Sequence, residues 1–274
     1  ILDPIFIFAL NLGIKGAAIA TVISQAISAA WVIRFLTSDK ASLRISAQMM
    51  RPQGKLILSI AALGVSPFIM QVTESLITIV FTHGLQKYGD DLYVGSFTIL
   101  QSIMQIIFIP MSGFSQGVQP IISYNYGARR PERVKKTIRL AVCYAEGIMV
   151  LGFCIFEFFP GQVLGLFSAS QAMLTIGIPA MRIICLHFLL AGTSIVLSSV
   201  FQALGNGLFS LIVSVCRQLF VLLPAAWLLA QTGNVNNVWW AFLIAEIVSV
   251  LMSLAFYAHI NKTIIVPLCG PAEP

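Results

Sequence analysis

Residues 113–139 read GFSQGVQPIISYNYGARRPERVKKTIR, and they join an apolar segment to a strongly basic one. Gly113, Gly117 and Pro120 predict an interruption of a hydrophobic helix, and Asn125 with Gly127 favours a turn. Six cations follow within eleven residues: Arg129, Arg130, Arg133, Lys135, Lys136 and Arg139. A basic block beside an apolar segment is typical of the cytoplasmic side of a membrane protein, because cytoplasmic loops retain Lys and Arg. The charges alone fit a topology anchor on anionic lipid equally well.

The composition of the whole chain indicates a polytopic membrane protein. Hydrophobic residues make up 58% of it, charged residues 9%, and the mean hydropathy is +0.92, whereas about a quarter of a soluble domain is charged. The net charge of +6 does not indicate a nucleic-acid partner, since 10 of the 16 cations lie in residues 40–55 and 129–139, both flanked by apolar runs. The five cysteines lack metal-ligand spacing, so we expect no metal and no cofactor.

Seven apolar runs are long enough to cross the hydrocarbon core, which takes about 20 residues each. The predicted spans are residues 16–36, 56–82, 93–122, 137–159, 174–203, 208–230 and 238–260, and residues 1–10 look like the end of an eighth. Alternation of sides places eleven cations on one face, against Lys15 and Lys87 on the other. The face with eleven cations is predicted to be cytoplasmic.

The residues that precede the basic block resemble a known family. Gln116, Gly117, Gln119, Pro120, Tyr124, Asn125, Gly127 and Ala128, followed by Arg133 and Lys135, resemble the segment after the eighth helix of multidrug and toxic compound extrusion (MATE) transporters. Residues 2–8 and 13–21 resemble the hairpin between the family's fifth and sixth helices. The resemblance covers nearly the whole chain, but only the later part of a typical family member.

The resemblance implies an all-α fold, a polytopic membrane helical bundle. Residues 1–36 would end a first lobe, 37–55 would form a cytoplasmic inter-lobe linker, 56–260 a second six-helix lobe, and 261–274 a cytoplasmic tail. A weak internal repeat is consistent with two lobes. The pattern Leu2-x-Pro4 followed by Gly13 occurs a second time as Leu222-x-Pro224 followed by Gly233. We therefore expect the chain to work with a missing N-terminal lobe.

Carboxylates inside apolar spans are functional candidates, because burying a charge in a membrane is costly. Glu74 follows Gln71 by one helical turn, and it resembles an acidic residue on the seventh helix of some MATE subfamilies. We expect it to be buried inside its span, in a low dielectric that suits a carboxylate to binding and releasing a proton or another cation. Glu146 is the second candidate for cation coupling and Glu246 the third, and for both a structural role is an open alternative. Arg217 is expected to snorkel to the interface or to pair with a carboxylate.

Coupling to sodium is less well supported by the sequence. Sodium-binding members of the family pair the seventh-helix acid with an acid on the tenth helix, whereas no acidic residue lies between Glu157 and Glu246 here. His187 is interpreted as a hydrogen-bond partner rather than as a proton relay.

The family resemblance implies a secondary antiporter that exports amphipathic or cationic drugs and toxic compounds in exchange for protons or sodium ions. Flexible, polarisable methionines and polar amide side chains can adapt to varied ligands. The predicted substrate cavity is therefore lined by Met70, Gln71, Gln101, Met104 and Gln105. A helix-packing contact is the alternative for the face that carries Gln101, Met104 and Gln105. The predicted partners are the small-molecule substrate, the coupling ion and the lipid bilayer of the plasma membrane, in which the protein is multi-pass.

Two other functions remain open at this point. A lipid-linked oligosaccharide or lipid flippase of the same superfamily would need a cationic cavity for phosphates, and a nonfunctional transporter fragment would need none. An enzyme is not expected. The sequence Gly113-Phe114-Ser115-Gln116-Gly117 fits the nucleophile motif of serine hydrolases, but that motif requires a strand before the serine, and here an apolar span continues through it.

Overall fold

The computed structural model of the protein describes residues 2–9, 11–38, 53–167, 170–232 and 234–269. These residues are overwhelmingly helical and contain no β-strand, which confirms the all-α prediction. Residues 39–52 of the predicted linker and 270–274 of the predicted tail lie outside the described residues. The chain divides into two compact units, residues 1–60 and 61–274.

The first unit is built around a close helical hairpin. A short helical stretch, Leu2–Pro4 and Ile5–Ala9, precedes helix α1 at Gly13–Leu36. The Leu12 N–H donates to the carbonyl of Phe6 at 3.2 Å, and a Cβ on Gly16 would lie 2.6 Å from that same oxygen. Gly16 therefore allows the two backbones to approach to a distance that a side chain would prevent.

The second unit holds the remaining helices. They are α2 at Gly54–Tyr88, which begins in the first unit, α3 at Asp91–Gly127, α4 at Pro131–Phe158, the short α5 at Pro160–Leu166, α6 at Gln171–Cys185, α7 at Phe188–Ala203, α8 at Gly207–Ala230 and α9 at Val235–Ile265. Six helices of the described chain are long and apolar enough to cross a membrane, and α6 with α7 makes a seventh if the bent pair is one span. The seven predicted spans are therefore consistent with the structure.

Local capping explains where α3 and α4 begin. The side chain of Asp90 accepts the N–H groups of Leu92 and Tyr93 at 3.0 and 3.2 Å, which satisfies donors that the first turn of a helix leaves free. Pro131 opens α4, where its missing N–H costs nothing. Arg129 between the two helices has a φ of 52°, in the left-handed region that suits a tight turn.

Helix α3 is not interrupted where the sequence predicted a break. It continues through Gly113, Gly117 and Pro120 as far as Gly127, and Pro110 also lies inside it. The prediction of an interruption was wrong, because an interior proline removes one backbone hydrogen bond and tertiary packing can hold the rest of the helix together. The predicted turn does occur, but only at the end of the motif.

The core of the second unit lies among α3, α4, α7 and α9. Met111, Ala145, Phe188 and Trp239 are fully buried there. The backbones of α4 and α7 approach closely, and a Cβ on Gly192 would lie 3.0 Å from backbone atoms of α4. Small residues at such a contact let two membrane helices pack closely.

Two helices differ in shape from their predicted spans. The span predicted at residues 174–203 is broken at Leu186 and His187, where α6 and α7 bend by 53°. The last predicted span ended at Ile260, whereas the helix continues as a π-helical turn to Ile265, which is fully buried. Burial of Ile265 supplies an apolar contact that favours the longer helix.

Candidate functional site

Helix α2 contacts the rest of the second unit through large side chains, and a cavity opens beside it. The ring of Phe81 stacks on Phe97 of α3, with centroids 5.6 Å apart, and lies 5.2 Å from the ring of Phe242 on α9. Ile77 and Leu85 are buried on the same face of α2. These contacts hold α2 along its second half.

The cavity has a volume of about 750 Å³, which is in the range of small-molecule sites. Its apolar lining consists of aromatic and soft side chains, and its polar lining of amides, hydroxyls and a few ionisable groups. The lining includes Met70, Glu74, Phe97, Gln101, Met104, Gln105, Phe108, Gln116, Gln119, His187, Ser194, Gln202, Arg217, Gln218, Phe242 and Glu246. Helices α2, α3, α7, α8 and α9 all contribute.

Four of the five residues predicted for a substrate cavity line this one. Met70, Gln101, Met104 and Gln105 face it from α2 and α3. Gln71 does not line it, and its amide donates to the Glu74 carboxylate at 3.4 Å. Gln105 is exposed and Gln101 half-buried at the cavity, whereas Met104 also packs against the core, so this face combines cavity lining with helix packing.

Glu74 lines the cavity but is exposed, so the expectation that it is buried was wrong. The reason is its position on α2. Thr73 and Ile77, which are close to it in the sequence, lie on the buried face of the helix, and Glu74 lies outside that face. A carboxylate in this place can exchange a cation with the contents of the cavity without breaking a packed contact.

Glu146 lies elsewhere, at the interface of α4 and α7. Its Oε1 accepts the backbone N–H of Thr193 at 2.7 Å and the Thr193 hydroxyl at 2.6 Å. Its Oε2 is buried without a hydrogen-bond partner in the described structure. Glu146 is not among the residues that line the cavity, so the structure does not bring together the two carboxylates that the sequence put forward for cation coupling.

Glu246 forms an ion pair with Arg217, which was one of the two expectations for that arginine. It is 1% exposed, and its Oε2 lies 3.2 Å from Nη1 of Arg217 on α8. Ser194 on α7 donates its hydroxyl to Oε1. Both residues of the ion pair line the cavity. The sequence indicated this pair only in that Arg217 and Glu246 both interrupt apolar spans. The fold is needed to show that the two side chains meet.

The motif that carries the family resemblance joins α3 to the end of α7. The amide of Gln119 donates to Oε1 of Gln202 at 3.1 Å, and the hydroxyl of Ser123 donates to the carbonyl of Ala203 at 2.8 Å. Asn125 bonds the carbonyl of Ile121 at 2.7 Å within the helix. The motif thus fixes where two cavity-lining helices meet.

The other motif residues have separate positions. Gln116 lines the cavity and its amide donates to the hydroxyl of Ser112 at 3.3 Å. Gly117 and Pro120 lie within α3, Gly127 ends it, and Ala128 caps it. Tyr124 is 75% exposed. The ring of Tyr124 therefore makes no contribution to the core of the second unit.

His187 lies at the break between α6 and α7 and is 5% exposed. Its ring stacks on Phe108, with centroids 6.0 Å apart, and its Nδ1 is hydrogen-bonded to the carbonyl of Ile184. These contacts agree with its interpretation as a hydrogen-bond partner. In the described part of the chain, no group of three or more His, Cys, Asp or Glu residues is placed to hold a metal ion.

The apolar helices, the broken span and the polar cavity between helices define a polytopic membrane protein of the transporter class. A family model, MatE, matches residues 66–228. The chain belongs to this family, which is a family of transporters and not of enzymes.

Individual relatives agree with the family. The chain is 26% identical over 254 residues to the multidrug export protein MepA of Staphylococcus haemolyticus, and 26% identical over 255 residues to MepA of Staphylococcus aureus. Each alignment covers 93% of this chain and 56% of the relative, so the chain spans about half the length of these relatives.

Solved structures show the same fold. A MATE protein in complex with MaL6 superposes with a TM-score of 0.84 at 25% identity, covering 96% of this chain and 60% of that one. An outward-facing MATE family transporter gives a TM-score of 0.86 at 24% identity, covering 97% and 59%. A transporter of the MOP superfamily from Pyrococcus furiosus gives 0.87 at 22% identity, covering 98% and 60%.

Proposed function

We propose that this chain supplies one lobe of a secondary active antiporter that exports amphipathic or cationic compounds in exchange for protons or sodium ions. The observation that carries the proposal is the cavity of about 750 Å³, with Glu74 exposed at its lining. The MepA relatives are multidrug export proteins, which supports the same function. The working protein would include an N-terminal lobe and lie in the plasma membrane as a multi-pass protein.

The side chains of the cavity suit amphipathic cations. Phe108 and Phe242 are half-buried and present aromatic surface, and a cation over an aromatic face is favoured electrostatically. Met70 and Met104 are flexible and polarisable, so they can adapt to ligands of different shape. A cavity of this kind binds by adaptable contacts rather than by one fixed pattern of hydrogen bonds.

Glu74 is the carboxylate best placed to couple cation movement to export. It is exposed to the cavity, so a proton, a sodium ion or a cationic substrate can reach it and compete for it. Glu146 is already bonded to Thr193, and Glu246 to Arg217 and Ser194. Antiport requires that the two transported species bind in alternation, and competition for one accessible carboxylate provides this.

The flippase alternative finds less support in this cavity. Phosphate groups need unpaired cations, and the one guanidinium among the described lining residues is paired with Glu246.

The test uses the two-lobe protein proposed here, reconstituted in liposomes that are loaded with ethidium. Efflux is followed under an imposed proton gradient and, separately, a sodium gradient. Glu74→Gln keeps the size of the side chain and removes its charge, and it should reduce gradient-driven efflux about tenfold or more while the protein still inserts and folds. Glu132→Gln is the matched control, since Glu132 is exposed in the first turn of α4, away from the cavity.

Two outcomes would contradict the proposal. Failure of the wild-type protein to move ethidium under either gradient rejects the proposed drug antiport. Wild-type efflux by the Glu74→Gln variant rejects Glu74 as the coupling residue.

A further inference from the structure

The described lining of the cavity carries three charged side chains, Glu74, Glu246 and Arg217. Glu246 accepts a hydrogen bond at each of its oxygens, from Ser194 and from Arg217, and is 1% exposed. Its charge is therefore directed at Arg217 and is shielded from the cavity. Glu74 is exposed, so its charge acts on the contents of the cavity directly.

Arg217 is more accessible than its partner. About a third of its side chain is exposed, 32%, against 2% for Glu246. A guanidinium has five N–H donors, and only Nη1 has a hydrogen bond to a described residue. The neighbouring Gln218 also lines the cavity, and its side-chain carbonyl is buried without a partner in the described structure. This side of the cavity therefore holds a guanidinium with N–H donors that bond to no described residue, and an amide oxygen without a described hydrogen-bond donor.

We propose that the Arg217–Glu246 pair sets the charge selectivity of the cavity. While Glu246 neutralises Arg217, the two carboxylates and one guanidinium leave one excess negative charge at Glu74, and the cavity binds cations. Without the Glu246 charge, Arg217 becomes an anchor for anionic groups such as carboxylates and sulfonates. The inference rests on the proposed function, because it assigns the substrate class of the same cavity.

The effect follows from simple electrostatics. Charges of like sign brought together in a cavity repel, and charges of opposite sign attract. A cationic ligand would meet an unpaired guanidinium in the Glu246→Gln variant, and an anionic ligand would gain several charge-assisted hydrogen bonds. Selectivity between two ligands is a difference of two affinities, so both changes shift it in the same direction.

The experiment measures the binding of two xanthene dyes of similar size and opposite charge, rhodamine 6G and fluorescein. Fluorescence polarisation gives the Kd of each dye for the purified full-length protein, and melting in detergent reports folding. The wild-type protein should prefer rhodamine 6G. Glu246→Gln should shift the ratio of the two Kd values toward fluorescein about tenfold or more.

Further variants separate charge from local damage. The double variant Glu246→Gln with Arg217→Gln removes both charges, so it should return to a preference for rhodamine 6G. Arg217→Gln alone leaves no cation in the described lining and should gain no affinity for fluorescein. Glu132→Gln should behave as the wild type, because its charge lies outside the cavity.

The inference is overturned if Glu246→Gln folds and keeps the wild-type ratio, or if Arg217→Gln gains fluorescein binding. If Glu246→Gln does not fold, the double variant decides, and a preference for fluorescein there overturns the inference. Binding of rhodamine 6G without gradient-driven transport rejects the proposed antiport and leaves the charge selectivity standing. Failure of the wild-type protein to bind rhodamine 6G rejects both.

Discussion

Replacing Gly192 by alanine should destabilise the second unit, because this glycine sets the distance between α4 and α7. An added Cβ would lie 3.0 Å from the carbonyl carbon of Ala145, 3.0 Å from the backbone nitrogen of Glu146 and 3.0 Å from its carboxyl carbon. Carbon atoms in contact are about 3.5–4.0 Å apart at optimal separation. Two of the three neighbours are backbone atoms, so relief requires α4 itself to move or the Glu146 carboxylate to leave Thr193.

The magnitude is best measured against a glycine that has room. Gly147 lies in α4, next to Glu146, and a Cβ there would meet nothing within 4 Å. Both substitutions gain the helix propensity of alanine, about 1 kcal/mol, so this contribution cancels in the comparison. Overpacking a close contact costs about 1–3 kcal/mol, and Gly192→Ala should be less stable than Gly147→Ala by that amount.

The assay is reversible unfolding of the full-length protein in detergent or mixed micelles, followed by circular dichroism, with both variants measured under the same conditions. Unfolding free energies that agree within about 0.5 kcal/mol would refute the reasoning, since this is the usual spread for substitutions that disturb nothing. A gain in stability for both variants would likewise show that α4 and α7 can separate at little cost.

Two further predictions concern packing and topology. Trp239 is fully buried, with its ring 6.1 Å from that of Phe97, so Trp239→Ala should lower the unfolding free energy by about 3–5 kcal/mol. Trp240 is 41% exposed, and Trp240→Ala should lower it by less than about 1 kcal/mol. Equal losses in the two variants would contradict this packing. A cysteine introduced near Arg130 should react with a membrane-impermeant maleimide only from the cytoplasmic side, because the basic block between α3 and α4 marks the cytoplasm. A cysteine introduced near Asn234 should react only from the outside. The opposite labelling would reject the count of spans.

Helices were predictable from the sequence because hydropathy is a local property. A run of about 20 apolar residues must form a helix in lipid, where every backbone group needs an internal partner. The predicted spans therefore correspond to α1–α4, to the bent pair α6 and α7, and to α8 and α9. The family motif at residues 116–128 was also recognisable from the sequence, because the order of its residues is specific and can be matched without three-dimensional information.

The details of those helices were less predictable. Glycine and proline at 113, 117 and 120 predicted an interruption because their local preferences oppose a helix, but tertiary contacts outweigh local preference in α3. The break at Leu186 and His187 and the extension to Ile265 carried no clear sequence signal.

The roles of the carboxylates depended on the tertiary structure. The sequence showed that Glu74, Glu146 and Glu246 interrupt apolar runs, and it favoured Glu74 because of Gln71 one turn before it and the family resemblance. The fold exposes Glu74 at the cavity, bonds Glu146 to Thr193 between α4 and α7, and pairs Glu246 with Arg217, which is 29 residues away in the chain. Composition and periodicity are properties of short segments, whereas accessibility and partners are set by which faces of different helices meet, and only the packed structure determines that.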